Sequence, residues 1–143
     1  MINNIVIFSD GGSRGNPGPG AGAATVFFDE QKQCLAKSKY FGICTNNQAE
    51  YQALLEGLKI VESKLSTDEL HETSLKIFLD SELMVRQING EYKIKNEGLK
   101  PYYDQIQQIL SQFGQVTVTH VLRANNKLAD MMLNAVLDRW EGK

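Results

Sequence analysis

Apolar positions along this chain follow two different periods. Residues 5–8, IVIF, form a continuous apolar run that stops at Ser9 and Asp10, the pattern of a strand buried on both faces. The Gly/Pro-rich stretch DGGSRGNPGPG follows at 10–20, and AGAATVFF at 21–28 reads as a second strand. Asp29 and Glu30 mark a turn before a third strand within 34–43. Short connections between three such runs predict an antiparallel meander. The period then changes. Apolar side chains at 51, 54, 58, 61 and 65 form the stripe of an amphipathic helix over 46–65, capped by Thr45 or Asn46. LKIFLD at 75–80 is another buried strand ending on an aspartate, with His71 in the polar loop before it. A short helix over 81–88, a loop and a helix over 99–113 come next. VTVTHV at 116–121 alternates as a strand does, and 126–140 is helical. Three strands, a helix, a strand, two helices, a strand and a final helix predict an α/β layered fold around a mixed sheet.

Composition narrows the class. At 143 residues, with no repeat, low-complexity tract or linker, the chain reads as a single domain over 1–143. Apolar residues at 42% and charged residues at 22% are ordinary for a globular protein. No apolar run approaches the ~18 residues of a membrane helix, and MINNIVIFSD lacks the basic start of a signal peptide. Cys34 and Cys44 have neither metal-site spacing nor clustered histidines. They read as buried free thiols of a reducing, cytoplasmic compartment. A net charge of −2 argues against a generic nucleic-acid binder, provided that no metal binds.

Four acids fall at element ends: Asp10 and Asp80 where strands stop, Glu50 and Asp130 where helices begin. Ligands of open α/β sheets gather at such places. Each acid alone has a plainer explanation, because strand-end acids are solvated and acids in a first helical turn suit the macrodipole. The stretch 10–20 likewise reads as a hairpin turn, a phosphate cradle or the rim of a site. Against the cradle, it lacks the Lys-Ser/Thr ending of a P-loop and no helix follows it.

The neighbouring residues go further. DGGSRGNPGPGA, TNNQAEY (45–51), DSELMVRQINGEYKIKN (80–96) and HVLRANNKLAD (120–130) together resemble the four signature blocks of type 1 ribonuclease H. They stand in the same order and span nearly the whole chain. The resemblance implies a ribonuclease H-like α/β fold, a five-stranded mixed sheet flanked by helices in the order βββαβα(α)βα. It implies an endonuclease that hydrolyses the RNA strand of RNA/DNA hybrids by two-metal-ion catalysis, leaving 5′-phosphate and 3′-hydroxyl ends. The alternative is a non-catalytic hybrid-binding module of the same fold.

By the same resemblance Asp10, Glu50, Asp80 and Asp130 are the catalytic metal ligands for two Mg2+, with Mn2+ possible. Asp10 would bridge both ions, Asp130 would hold the water-activating ion, and Glu50 and Asp80 the leaving-group ion. Phosphodiester hydrolysis suits such a set, because hard cations prefer carboxylate oxygens and neutralise charge on both sides of the phosphate. Two Mg2+ would turn the net charge of −2 into +2, which removes the objection to a nucleic-acid substrate. Asn16, Asn46 and Asn47 match positions that read the 2′-OH in the minor groove. Thr45 and Asn96 match the phosphate pocket of the DNA strand, and the glycines of 11–20 would allow the RNA backbone close. Arg86, Lys93, Lys95 and Lys100 outnumber Glu91 and Glu97, so that segment is locally basic and Tyr92 would stack near the DNA. The expected protein is a monomer.

Three departures from the family stand out. The basic protrusion is reduced to the short NGEYKIKN connection. No histidine lies in the loop before Asp130, and His120 in the preceding strand reads as a structural histidine bonded to a neighbour. Glu82 replaces an amide common in relatives. Leu133, Val136, Leu137 and Trp140 read as the docking face of the last helix.

Overall fold

The computed structural model describes residues 3–29 and 32–142. Its strands are β1 (Asn3–Ser13), β2 (Gly18–Phe28), β3 (Gln33–Cys44), β4 (Thr73–Leu79) and β5 (Gln115–His120). Its helices are α1 (Asn46–Lys64), α2 (Thr67–His71), α3 (Glu82–Ile88), α4 (Lys100–Leu110) and α5 (Lys127–Trp140), with a single 3-10 turn at Arg123–Asn125. The sheet order is β3-β2-β1-β4-β5. β1, β2 and β3 pair antiparallel as the meander pattern requires, whereas β4 runs parallel to both β1 and β5. The mixed five-stranded α/β sheet is therefore the expected one.

The stripe on α1 does what its period demands. Tyr51, Leu54, Leu58 and Val61 are buried against Ile5, Ile7, Leu75 and Ile77 of the sheet. Each fully buried aliphatic side chain contributes roughly 1.5–3 kcal/mol. Gly57 lets the helix sit close, because a Cβ there would meet the Ala24 Cβ at 3.0 Å and Ile7 at 3.2 Å. Tyr51 places one polar atom in this core and satisfies it, its hydroxyl donating to Gln87 of α3 at 2.7 Å. Thr45 caps α1 with a reciprocal capping box to Gln48. On the opposite face α5 packs Ala129, Leu133 and Leu137 onto the small Ala21 and Ala23 of β2. Val136 is half-buried there, and Trp140 stacks on Tyr40 at 4.1 Å while staying largely exposed.

Several boundaries differ from the sequence pattern. β1 continues to Ser13 and β2 starts at Gly18, so only residues 14–17 form the connecting turn. Glycine-rich backbone has no apolar period, yet it pairs without interruption through Gly11↔Gly22 and Ser13↔Gly20. Asp10 thus lies inside β1, not at its end. α2 falls where a loop was expected and contains His71; its signal was the capping box between Ser66 and Glu69. The helix expected over 99–113 is shorter, with Leu99 as its N-cap. Cys44 is buried, but Cys34 is exposed on the edge strand β3 and corrects the expectation of two buried thiols. Glu30, half of the expected turn pair, lies outside the described residues. No described helix is long and apolar enough to cross a membrane.

Candidate active site

Register brings the first two acids together. The parallel ladder between β1 and β4 ends at Phe8↔Phe78. Asp10 and Asp80 each lie two residues beyond that pair, so both side chains project from the same face of the sheet. α1 then brings Glu50. Gly11 makes the approach possible, because a Cβ at that position would penetrate the Ala49 carbonyl of the helix. Asp130 enters from the first turn of α5. All four sequence-selected acids line two adjoining cavities. Asp10 and Glu50 border both; Asp130 belongs to one, with Arg14, Arg123 and Asn134, and Asp80 to the other, with Ser81.

Crowding shows in their protonation. Burial, followed by the charges of Asp80, Asp130 and Glu50, pushes Asp10 up to about 8. Burial and then Asp80 raise Glu50 to about 7, against the opposing pull of a Ser81 hydrogen bond and the Arg123 charge. At neutral pH the cleft therefore retains protons on carboxyl groups that would be ionised in water. Among the described residues no three acidic, histidine or cysteine side chains close around one point. The donors are nevertheless all carboxylates, two of them with strongly raised proton affinity, and that chemistry fits a hard divalent cation whose arrival displaces the protons.

Amides hold the acids. Asn46 donates to Glu50 at 3.4 Å and accepts from the Ser13 amide at 3.2 Å. Asn126, the buried N-cap residue of α5, donates to the Ser9 carbonyl at 2.8 Å and to Asp80 at 3.3 Å. Asn134 donates to the Asp130 carboxylate at 3.3 Å. Asn126, Asn134 and Arg123 are the residues that sequence reasoning missed. Asparagine before a helical stripe marks Asn126 as the helix start, but its side chain makes no capping bond and turns instead to Ser9 and Asp80, which no local pattern signals. Asn134 had only its one-turn spacing from Asp130, and Arg123 had none.

Of the expected substrate-reading residues, Asn16, Asn46 and Asn47 adjoin one another at the start of α1. The exposed Asn16 accepts from the Asn46 amide at 3.1 Å, which joins the 14–17 turn to the start of α1. Asn47 follows in the first turn of that helix. Asn96 accepts from the Gly98 amide at 2.7 Å, and a Cβ at Gly98 would meet the Gln48 side-chain amide at 2.9 Å, so this loop passes beside the capping box of α1.

Other expectations change. Gly11, Gly18 and Gly20 are buried against their own chain: Gly11 admits α1, Gly18 closes the turn onto Arg14 and Gly20 packs beneath Cys44 of β3. Arg86 is engaged by Glu82 at 3.0 Å and Glu91 at 3.6 Å, over the face of Tyr92. The free cations of that segment are Lys93, Lys95 and Lys100, which are exposed and, among the described residues, form no ion pair. His120 is exposed, and among the described residues its side chain has no hydrogen-bond partner, so the expected neighbour is absent.

Known proteins are similar to this chain in sequence and fold. The model of the reverse transcriptase-like family matches residues 8–136. Ribonuclease H of Ehrlichia chaffeensis is 30% identical over 149 residues, covering 96% of this chain and 97% of its own. The bifunctional protein Rv2228c of Mycobacterium tuberculosis is 39% identical over 135 residues and 94% of this chain. This chain spans about a third, 35%, of the length of that relative. The crystal structure of LC11-RNase H1 in complex with an RNA/DNA hybrid superposes with a TM-score of 0.81 at 35% identity, covering 94% of this chain and 97% of that one. The chain belongs to the type 1 ribonuclease H family.

Proposed function

We propose that this protein is a metal-dependent endonuclease that hydrolyses the RNA strand of RNA/DNA hybrids, leaving 5′-phosphate and 3′-hydroxyl ends. The observation that carries this reading is the meeting of Asp10, Glu50, Asp80 and Asp130 in one cleft beside an asparagine rim. Its family relationship supports the same substrate class. Asp10, Glu50, Asp80 and Asp130 would hold the divalent cations, with Asp10 and Glu50, which border both cavities, central to the set. A pair of Mg2+, or Mn2+ in their place, supplies positive charge on both sides of the scissile phosphate and activates the attacking water.

The chain's own residues do the rest. Asp10 and Glu50 hold protons that they would have to give up to serve as ligands, which would tie the loaded state to pH. Asn126 and Asn46 keep Asp80 and Glu50 aimed at the cleft. With its carbonyl oxygen engaged by Asn46, Asn16 keeps its N–H2 for a ribose hydroxyl. Asn46 and Asn47 read the neighbouring 2′-OH groups. Thr45 and Asn96 receive a phosphate of the DNA strand at the N-terminus of α1, where backbone N–H groups favour an anion.

The test is cleavage of one labelled sequence as hybrid, RNA duplex and DNA duplex in Mg2+. Internal cuts confined to the RNA of the hybrid support the reading. Equal cutting of DNA duplex contradicts it, and tight hybrid binding without cleavage makes the protein a binding module.

A further inference from the structure

Arg14 and Asn134 have no part in the reaction so far, yet they join the substrate rim to the cleft. Arg14 lies in the 14–17 turn that carries Asn16. Its guanidinium pairs with Asp138 at 2.7 Å and Glu141 at 2.9 Å, and donates to the Asn134 side-chain oxygen at 3.2 Å. These partners stand at i, i+4 and i+7 along one face of α5. Asn134 in turn donates to the Asp130 carboxylate at 3.3 Å and to the Asp130 carbonyl at 2.9 Å.

The direction of this chain follows from chemistry. Arginine only donates, so its contact selects the oxygen end of the Asn134 amide. The NH2 end is thereby turned to Asp130. A clamp that merely held the turn onto α5 would need only Asp138 and Glu141; the third contact faces the cavity shared by Asp10, Glu50 and Asp130. Held by Asn134 through one oxygen, Asp130 keeps the other for the cleft, where it meets the Asp10 carboxyl.

We infer that Arg14 and Asn134 are positioning residues that fix the Asp130 carboxylate for divalent-cation binding and tie it to the turn bearing Asn16. The inference rests on the nuclease reading for its effect on catalysis, but its effect on cation binding is measurable without substrate.

The experiment compares wild type with Asn134→Leu, which keeps the size and removes the donor, and with Arg14→Ala. Mg2+ is titrated calorimetrically into the free protein and, separately, into hybrid cleavage at saturating hybrid. Both variants should need roughly tenfold more Mg2+ in both measurements, as loss of a residue behind a ligand does. In Asn134→Leu the KM for hybrid should stay within about twofold, since Asp138 and Glu141 still hold the Arg14 turn and no substrate contact is removed. Arg14→Ala/Asn134→Leu should be no worse than Asn134→Leu, because one relay is broken twice. Arg14→Ala serves as the decisive variant if Asn134→Leu does not fold. Unchanged Mg2+ titrations in a folded variant overturn the relay, as does a fall in unfolding temperature in chelator with no change in Mg2+ requirement. Should wild type fail to cut hybrid at all, the nuclease reading falls, while the calorimetric titration still decides the relay.

Discussion

Across 3.3 Å the buried Asn126 amide donates to the Asp80 carboxylate, and its second bond, at 2.8 Å, goes to the Ser9 carbonyl next to Asp10. One side chain thus ties α5 to the two strands that carry the central acids. Asn126→Ala leaves the Ser9 carbonyl buried without that donor, which costs about 1–3 kcal/mol. Thermal unfolding should show that loss. Cleavage should fall further than in a surface alanine variant of equal stability, because Asp80 loses its support.

The raised proton affinity of Asp10 has a stability consequence in the absence of divalent ions. Its folded value of about 8 lies above the ordinary 3.8, so the folded state holds a proton that the unfolded chain has lost between those limits. Stability from this group is full below about pH 4 and is lost as pH rises toward 8. Glu50, raised from 4.5 to about 7, adds to the same slope. Asp10→Asn cannot ionise. In chelator, its stability relative to wild type should rise between pH 5 and pH 8 by at least about 1.4 kcal/mol, the worth of one pH unit. Denaturant titrations at the two pH values measure the difference.

Gly11 is required by the approach of β1 to α1, not by any turn. A methyl group there collides with the Ala49 carbonyl backbone. Gly11→Ala should lose roughly 1–3 kcal/mol in denaturant unfolding, as overpacked sites do. Because the collision separates Asp10 from Glu50, cleavage should fall beyond what the unfolded fraction explains.

Much of the site was legible because its acids follow apolar runs of clear period. The runs at 5–8 and 75–80 fixed two strands, and the stripe from Tyr51 to Leu65 fixed α1 and its cap. The β1–β2 hairpin was misread, because Gly11, Gly12, Gly18 and Gly20 carry no side chains to show alternation while their backbones still pair. The helix at Thr67–His71 was missed because five residues are too few for a periodic stripe. Arg14 and Asn134 were invisible for another reason: their partners are 120 residues apart in the chain.

His120 and Arg123, three residues apart, stand very differently toward the cleft. His120 is exposed without a side-chain partner among the described residues, whereas Arg123 borders the cavity of Asp10 and Asp130 and bears on Glu50. His120→Gln should keep at least roughly a tenth of wild-type activity, well above the loss expected for a general acid–base catalyst. Arg123→Ala should lose roughly tenfold or more, because the positive charge bordering the carboxylate cleft is removed. Single-turnover rates for the two variants settle the order.

The proposed reaction depends most on the four carboxylates acting as one cation-binding set. Single-turnover cleavage of an RNA/DNA hybrid in saturating Mg2+, by wild type and by Asp10→Asn and Asp80→Asn, tests that set directly. The prediction is cleavage of the RNA strand by wild type and a loss of at least about a thousandfold in both folded variants, since each removes a charge that holds the ions. Cleavage near the wild-type rate by either variant would contradict it.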